Sequence, residues 1–450
     1  MKQRHLAFSW KQMHPTRKVA LGFFTVIVLG GFLLALPISA ANGQSIGLFN
    51  GLFTSTSAVC VTGLVVVDTG TAFSLFGQTV LIALIQIGGL GFMTAASMIF
   101  ILLRKRITLR ERMVLQESLN ADSLQGLVKL VIRVAYITFI IEGIGALILM
   151  TRFIPMFGVG LGIFRSIFIS ISSFCNAGFD PFGGFQSLTN MTDDVVVNVV
   201  VMALIVLGGF GFAALFDVVR NRRWSKWMLH TRIVIVMTVS LLAIGTIAFM
   251  LMEWNNPATM ADMSIKEKVM AGAFQSVTTR TAGFNSIDQA GMSSGSKLLS
   301  MVLMFIGASP ASTGGGIKTS TTAIILLAAW SIMHGRNEVT VSRRRIAHDL
   351  VRRAAAITML GISLVFIGTL AICIIDPQMT LDSVLYEVFS AFGTVGVSYG
   401  ITPSLHPLSQ LILMILMFCG RVGPMTIGIA LSRKQGDPDV RYPEARIMVG

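Results

Sequence analysis

Long apolar segments recur along the whole chain, and they decide what it can fold into. Most of them exceed the ~20 residues that a helix needs to cross the hydrocarbon core of a bilayer. They cover residues 18–37, 77–103, 128–151, 195–217, 231–252, 298–333, 354–375 and 408–432. Only 12% of the residues are charged, whereas a soluble domain has about 25%. The sequence therefore predicts an all-α integral membrane protein with eight transmembrane helices.

Lysine and arginine are concentrated in every second connection between these segments. The basic connections are the N-terminus, residues 104–112, 220–226 and 336–353, and the tail from Arg433. Residues 38–76 and 376–407, in contrast, contain neither Lys nor Arg, and residues 253–297 are mixed. Because basic loops stay in the cytoplasm, both termini are expected there, in a bacterial plasma membrane. The net charge of +14 thus reflects membrane topology, and no nucleic-acid partner is expected.

The outer connections are long and apolar. No charged residue occurs between Val19 and Val67. A loop in water would not have this composition, but a segment that enters the membrane and returns would. Irregular backbone at that depth is tolerated only where it is buried in protein or lines an aqueous cavity. We therefore expect a re-entrant pore helix and loop in each outer connection.

A small residue, a glycine and an apolar residue recur in these connections, centred on Gly63, Gly178, Gly283 and Gly396. A second glycine mark follows 24–30 residues later, at Gly88-Gly89, Gly208-Gly209, Gly307 and Gly420. One unit thus consists of a helix, a pore helix, a glycine loop and a second helix. The chain repeats this unit four times in the same orientation. The predicted units cover residues 1–110, 111–227, 228–340 and 341–450.

Four units of like orientation predict a pseudo-fourfold pore with a selectivity filter. A dehydrated potassium ion needs oxygens in place of its water shell, and rings of backbone carbonyls supply them. Glycine permits the backbone angles that this requires, and each pore helix would direct its negative C-terminal end at the axis. The predicted filter residues, in chain order, are Val61, Thr62, Gly63, Asn176, Ala177, Gly178, Thr281, Ala282, Gly283, Thr394, Val395 and Gly396. Any one triplet is more often a helix-packing glycine; the four together favour a filter.

The sequence resembles the Trk/Ktr/HKT superfamily of cation transporters, with the Ktr-type potassium-translocating subunit as the nearest type. The resemblance covers the whole chain and rests on Thr62-Gly63-Leu64, Gln86 to Phe92, Asn176 to Phe179, Arg280 to Asn285, Ala308 to Lys318, Phe392 to Gly396 and Gly420 to Pro424. It implies a homodimer with one pore per protomer and a separate cytosolic nucleotide-binding regulatory ring of the RCK type. It also implies potassium as the transported ion, since all four filter positions are glycine, and sodium as a possible activator or coupling ion. The basic loops would be the docking surface for this ring, although the excess of positive charge on cytoplasmic loops explains them equally well.

Residues 307–320 interrupt an apolar segment with proline, a glycine triplet and hydroxyl residues. These residues predict a loop between two half-helices, and a simple kink is the alternative. By resemblance, this segment is an intramembrane gating loop below the filter. The predicted gating residues are Gly307, Ser309, Pro310, Ser312, Thr313, Gly314, Gly315, Gly316, Lys318 and Arg421.

Three charged residues have unusual positions. Arg421 lies deep in the last apolar segment, where a charge costs ~3 kcal/mol, so it should face a polar interior. The resemblance places it at the pore, near the gating loop. Glu142 lies inside the third segment and is expected to hold a partner that the sequence does not identify. Asp68, just beyond the first filter loop, could attract cations or be a solvated surface acid.

Other chemistries receive little support. Gly291 to Gly295 fits the GxSxG pattern of hydrolases, but the context of Ser293 lacks the strand and the histidine that a nucleophile needs. The four cysteines lack metal-ligand spacing, and Cys60 and Cys175 should pack behind the filter. No organic cofactor and no enzymatic activity are expected. The remaining alternative is an alternating-access transporter of another small solute, although most of those have inverted repeats.

Overall fold

The computed structural model describes residues 15–102, 126–336 and 338–431, together with residues 111, 113, 115 and 116. Almost all of the basic segment 104–112, and the tail from Arg433, lie outside the described residues. The described chain is helical except for one short hairpin. The helices are α1 (Pro15–Leu34), α2 (Leu48–Cys60), α3 (Thr69–Ala72), α4 (Leu75–Leu90), α5 (Phe92–Leu102), α6 (Leu127–Phe157), α7 (Val159–Phe174), α8 (Val195–Gly209), α9 (Phe212–Arg220), α10 (Leu229–Glu253), α11 (Ile265–Thr278), α12 (Ser294–Phe305), α13 (Thr319–Met333), α14 (His348–Ile375), α15 (Leu381–Gly393), α16 (Pro407–Val422) and α17 (Pro424–Leu431).

Four helices are long and apolar enough to cross a membrane alone. These are α1, α6, α10 and α14, and the bent pair α8–α9 brings the number to five if it is one span. The eight predicted segments are therefore not eight continuous helices within the described residues. Each of the four segments that follow a predicted filter loop is divided into two helices: α4–α5, α8–α9, α12–α13 and α16–α17.

A glycine in the left-handed region marks each division. Its φ is +83° at Gly91, +88° at Gly211, +66° at Gly316 and +94° at Gly423. An L-residue with a side chain rarely adopts this conformation, so glycine ends one helix and redirects the next. These four glycines therefore mark a set of helix breaks, which the apolar pattern alone did not reveal.

The four predicted pore helices lie at the centre of the fold. α2, α7, α11 and α15 are short, and their C-terminal halves are almost completely buried despite many Ser and Thr residues. The long helices surround them: α6 packs on α7, α1 on α2, and α10 on α11. Polar helices inside an apolar shell are the arrangement expected where hydroxyls and backbone carbonyls must line or support a pathway.

Capping side chains explain where several helices begin. Ser74 accepts a hydrogen bond from the Gly77 backbone N–H at the start of α4. Asp194 does the same for two N–H groups of α8, and Ser264 forms a reciprocal capping box with Glu267 at α11. Such caps satisfy backbone donors that a helix start leaves without partners.

Within the basic segment 336–353, residues 340–345 form a small hairpin and residues 348–353 begin α14. Strand β1 (Thr340–Val341) pairs antiparallel with β2 (Arg344–Arg345). The turn residues Ser342 and Arg343 both have positive φ, as a tight primed turn requires.

Candidate functional site

The four predicted filter loops meet around one axis. A Cβ atom placed on Gly63 would lie 2.5 Å from the Ala177 carbonyl oxygen, and one on Gly178 would lie 2.6 Å from Gly283 Cα. A Cβ on Gly283 would lie 2.8 Å from the Val395 carbonyl oxygen. A Cβ on Gly396 would lie 3.0 Å from Gly63 Cα, so the fourth loop contacts the first. The glycines therefore form a closed ring in which no side chain fits.

The backbone of the four loops follows one pattern. The residue two positions before each ring glycine has a positive φ although it carries a side chain: Val61 (57°), Asn176 (61°), Thr281 (68°) and Thr394 (49°). The ring glycines are also positive, whereas the residues between, Thr62, Ala177, Ala282 and Val395, are not. Alternating signs of φ can turn successive carbonyl groups to one side of the chain, which is the arrangement that ion coordination by a backbone requires.

Buried hydroxyl groups behind the ring hold these loops. Ser57 Oγ accepts a hydrogen bond from Gly63 N at 3.0 Å, and Ser390 Oγ accepts one from Gly396 N at 3.0 Å. Ser172 Oγ donates to the Phe179 carbonyl at 2.7 Å, and Thr278 Oγ1 donates to Phe284 at 2.6 Å. Sequence reasoning missed these residues; a Ser or Thr five or six positions before each ring glycine was the available signal.

Residues 306–318 form a loop between α12 and α13, so the predicted interruption is more than a kink. Ile306 and Ile317 pair as an isolated parallel bridge at its base. The backbone of Ser309 donates to Gly209 at 3.1 Å, and that of Thr313 donates to Gly208 at 3.3 Å. The end of α8 thus supports the loop from the second unit.

This loop lies directly against the filter loops. Thr313 Oγ1 is 3.1 Å from the Asn176 side-chain amide and 3.2 Å from the Phe174 carbonyl oxygen. A Cβ on Gly314 would lie 3.1 Å from Thr281 Cβ, and one on Gly315 would lie 2.8 Å from Thr394 Cγ2. The loop therefore contacts three of the predicted filter loops, and Gly314 and Gly315 permit an approach to two of them that any side chain would prevent.

The other predicted gating residues support this loop. Lys318 Nζ donates to the Gly314 carbonyl at 2.7 Å, and Thr319 Oγ1 donates to Ser309 Oγ at 3.2 Å. A Cβ on Gly307 would overlap the Gly315 carbonyl. Ser312 Oγ is buried without a hydrogen-bond partner among the described residues.

Arg421 joins the last helix pair to the loop. Its guanidinium donates to the Thr313 carbonyl and to the Gly88 carbonyl, and it lies 3.3 Å from the Gly89 carbonyl oxygen. It forms no ion pair with a described carboxylate. The loop is therefore held between α8 and an arginine whose charge is balanced only by carbonyl dipoles.

The structure supplies the partners of two acids that the sequence left open. Glu142 accepts a hydrogen bond from Gln86 Nε2 at 3.1 Å and lies 3.7 Å from Cys175 Sγ. Asp68 caps α3 and accepts hydrogen bonds from Gly184 N at 3.0 Å and Phe185 N at 3.2 Å. Asp68 is thus neither a free surface acid nor solely a cation attractor, since it joins the outer loops of two units.

An outer cavity of about 510 Å³ adjoins the glycine ring. All four ring glycines line it, together with Asp68, Asp180 and Asp288. Burial raises the pKa of Asp180 to about 6, and the nearby charge of Asp68 adds to the rise. Within the described residues no group of His, Cys, Asp and Glu could hold a metal ion. The cavity is therefore bounded by the ring backbone and by acidic side chains.

Three of the four basic residues in the mixed segment 253–297 make internal contacts, whereas Lys266 is exposed. Lys268 Nζ donates to the Trp254 carbonyl at 2.9 Å, and Lys297 Nζ donates to Tyr399 Oη at 3.0 Å. Arg280 is buried beside Thr238. These cations stabilise the fold, which explains why they depart from the charge rule.

Ser293 is a helix cap rather than an exposed nucleophile. Its hydroxyl accepts from the backbone N–H of Ser296 at the start of α12 and donates to Glu253 Oε1 at 2.7 Å. This contact accounts for the isolated GxSxG match without an enzymatic role.

A closed ring of glycine loops inside a helical membrane fold defines a protein that transports cations. Residues 8–438 match the TrkH family, described as a cation transport protein, and the chain belongs to this family. It is 41% identical to Ktr system potassium uptake protein B of Bacillus subtilis, over 100% of this chain and 99% of the relative. It is 39% identical to the potassium/sodium uptake protein NtpJ of Enterococcus hirae, over 98% of both. The crystal structure of the potassium transporter TrkH from Vibrio parahaemolyticus has the same fold, with a TM-score of 0.74 at 18% identity, covering 96% of this chain and 87% of that one.

Proposed function

We propose that this chain is the potassium-translocating membrane subunit of a bacterial potassium uptake system, with the membrane potential driving the ion inward. The observation that carries the proposal is the closure of four glycine loops into one ring. The family and the names of the full-length relatives agree with it. A single ring favours one continuous pathway over an alternating-access transporter with two rocking halves.

The ring would select potassium through backbone carbonyls. Each of the four loops has glycine at the crowded position, and hydroxyl groups hold the loops from behind. Carbonyl rings can replace the water shell of potassium without a fixed charge. Sodium is proposed as an activator or coupling ion, because the name of the Enterococcus hirae relative includes both ions.

Each unit would contribute one long helix, one re-entrant pore helix and one divided span. The divided helices then count as single spans, which gives eight crossings and both termini in the cytoplasm. The unit boundaries are those of the sequence, at 1–110, 111–227, 228–340 and 341–450. The break glycines recur once in each unit, which supports this division.

Residues 306–318 would form the gate, and a separate cytosolic nucleotide-binding ring would control it. A homodimer with one pore in each protomer is proposed from the family. The hairpin β1–β2 is the docking surface that the structure favours, because it is exposed, basic and almost free of exposed apolar side chains.

Uptake of potassium or rubidium tests the proposal in cells without their own potassium uptake. Wild type with its regulatory partner should restore uptake, and Gly63→Ser should lower the preference for potassium over sodium about tenfold. A serine Cβ would displace the Ala177 carbonyl, which lies 2.5 Å from that position. Gly47→Ser is the matched control, since Gly47 has a φ of +87° but no atom within 4 Å of a Cβ. Failure of wild type to transport either ion would contradict the proposal.

Shortening the gating loop tests its role as a barrier. Deletion of residues 311–315 should raise potassium flux about tenfold, because these residues lie against the filter loops. Thr313→Ala, which removes only the contacts with Phe174 and Asn176, should raise it less. The measurement is initial rubidium uptake, normalised to the amount of folded protein in the membrane. Folded variants with wild-type flux would exclude a gating role.

A further inference from the structure

The helix pair α8–α9 brings a short segment to the inner membrane surface. α9 turns by 98° from α8, so it runs across the direction of the span. With 15 residues at a rise of ~1.5 Å each, α8 is about 22 Å long. With 25 residues, α10 is about 37 Å long. Because both helices have their other ends on the outer side, residues 219–228 lie at the cytoplasmic boundary. We call residues 219–228 the surface segment.

Four exposed cations lie in the surface segment: Arg220, Arg222, Arg223 and Lys226. None of them forms an ion pair within the part of the chain that the structure describes. The one nearby acid, Asp217, is buried and accepts hydrogen bonds from Asn221 Nδ2 and Met228 N, both at 2.8 Å. The positive charge of the segment is therefore available to an anionic partner.

Large apolar side chains alternate with these cations. Val219 is 67% exposed, Trp224 48% and Met228 53%. Trp224 also packs against Trp227, with 5.1 Å between ring centroids. Tryptophan beside exposed apolar and basic residues is typical of a surface inserted among lipid headgroups. Within the hairpin β1–β2 itself no large apolar side chain is exposed, although Ile332 and Met333 are exposed at the adjoining end of α13.

The surface segment is connected to the loop between α12 and α13 through α9. At the start of α9, Phe212 N donates to the Ala311 carbonyl at 2.9 Å. A Cβ on Gly211 would lie 2.5 Å from the Pro310 carbonyl oxygen, so the helix break and the loop are in tight contact. A displacement of α9 would therefore change the support of this loop.

We propose that the surface segment binds anionic phospholipid headgroups of the cytoplasmic leaflet, and that this binding holds α9 against the loop of residues 306–318. A basic cluster next to a span attracts the negatively charged headgroups of anionic lipids. The inserted Trp224 and Val219 add apolar contact. The effect on transport and the assignment to the cytoplasmic leaflet rest on the proposed function and its topology, whereas the preference for anionic lipid does not.

Tryptophan quenching by brominated lipid tests the binding with full-length protein in vesicles. Trp10, Trp254 and Trp330 are replaced by Phe, so that the signal comes from Trp224 and Trp227. Brominated phosphatidylglycerol should displace phosphatidylcholine with about a tenfold preference. The variant Arg222→Gln/Arg223→Gln/Lys226→Gln should lose that preference. The control Arg336→Gln/Arg343→Gln/Arg344→Gln removes the same charge from the hairpin region and should retain it.

Hydrogen exchange of residues 309–316 tests the connection without requiring transport. These amides should exchange about threefold more slowly in vesicles with phosphatidylglycerol than in phosphatidylcholine alone, and the Arg222/Arg223/Lys226 variant should show no difference. Equal quenching by both lipids would overturn the binding site. Lipid preference without a change in exchange would overturn the connection. Loss of binding to a cytosolic partner ring, with the lipid preference intact, would assign the segment to that partner instead.

Discussion

Potassium flux is expected to rise about thirtyfold when Arg421 is replaced by alanine. At an effective dielectric constant of about 20, a fixed positive charge raises the energy of a cation passing at roughly 8 Å by about 2 kcal/mol. A barrier lower by about 2 kcal/mol corresponds to a rate about thirtyfold higher. Alanine also leaves the carbonyls of Thr313, Gly88 and Gly89 without their donor, which loosens the loop.

The flux should be measured as initial rubidium uptake in cells and in proteoliposomes at a set potential. Arg421→Lys is the matched control, because it retains the charge but cannot span both groups of carbonyls; its flux should rise less than that of the alanine variant. A flux unchanged from wild type in a folded Arg421→Ala protein would remove this residue from the pathway.

Substitution of Gly396 by alanine is expected to reduce potassium uptake about a hundredfold. Gly396 has a φ of +92°, and a Cβ there would overlap the Thr62 carbonyl of the first loop. Relief of this overlap requires one loop to move, and a displaced carbonyl no longer matches the size of a dehydrated potassium ion. Because the ring is closed, the fourth loop contacts both the third loop and the first. Its displacement therefore affects two neighbours.

Gly400 provides the control for backbone strain. It has nearly the same φ, +91°, but no atom lies within 4 Å of the position that a Cβ would occupy there. Gly400→Ala should therefore share the cost of an unfavourable φ, about 1 kcal/mol, while it retains most of the uptake. Equal losses in both variants would mean that strain, and not the closed ring, explains the effect of Gly396→Ala.

These two predictions separate selection from gating. Gly396 lies in the ring, where each loop contacts the next, whereas Arg421 lies below it, at the loop of residues 306–318. A ring variant should lower potassium uptake and change the potassium-to-sodium ratio, whereas the arginine variant should raise the flux without changing that ratio. Measurement of both flux and the potassium-to-sodium ratio in each variant distinguishes the two roles.

Sequence reasoning reached the four glycine loops that meet in the ring but not their support. The triplets around Gly63 and Gly396 were visible because glycine recurs at a near-constant spacing in apolar surroundings. Ser57 and Ser390 were not singled out, because hydroxyl residues are common in pore helices and carry no directional signal. Their hydrogen bonds to the ring depend on how the helix end turns into the loop, which is a three-dimensional property.

The divided helices show the same limit. Apolar length predicted continuous spans such as 77–103 and 195–217, because hydropathy averages over a window and does not register a single residue. Gly91 and Gly211 interrupt these spans through their positive φ. The repeated marks Gly88-Gly89 and Gly208-Gly209 lie close to these breaks, yet the breaks themselves required the backbone conformation.

By itself, the sequence determined the membrane class, the fourfold repetition, the candidate filter residues and the interruption at 307–320, because composition, charge and spacing are properties of the linear chain. Only the tertiary structure decided that the four loops close into one ring, that the interrupted segment lies against three of them, and that Glu142 pairs with Gln86. It also decided that Arg421 joins Thr313 to the end of α4. These contacts join residues more than thirty positions apart, and their formation depends on packing and on left-handed backbone turns that residue order does not specify.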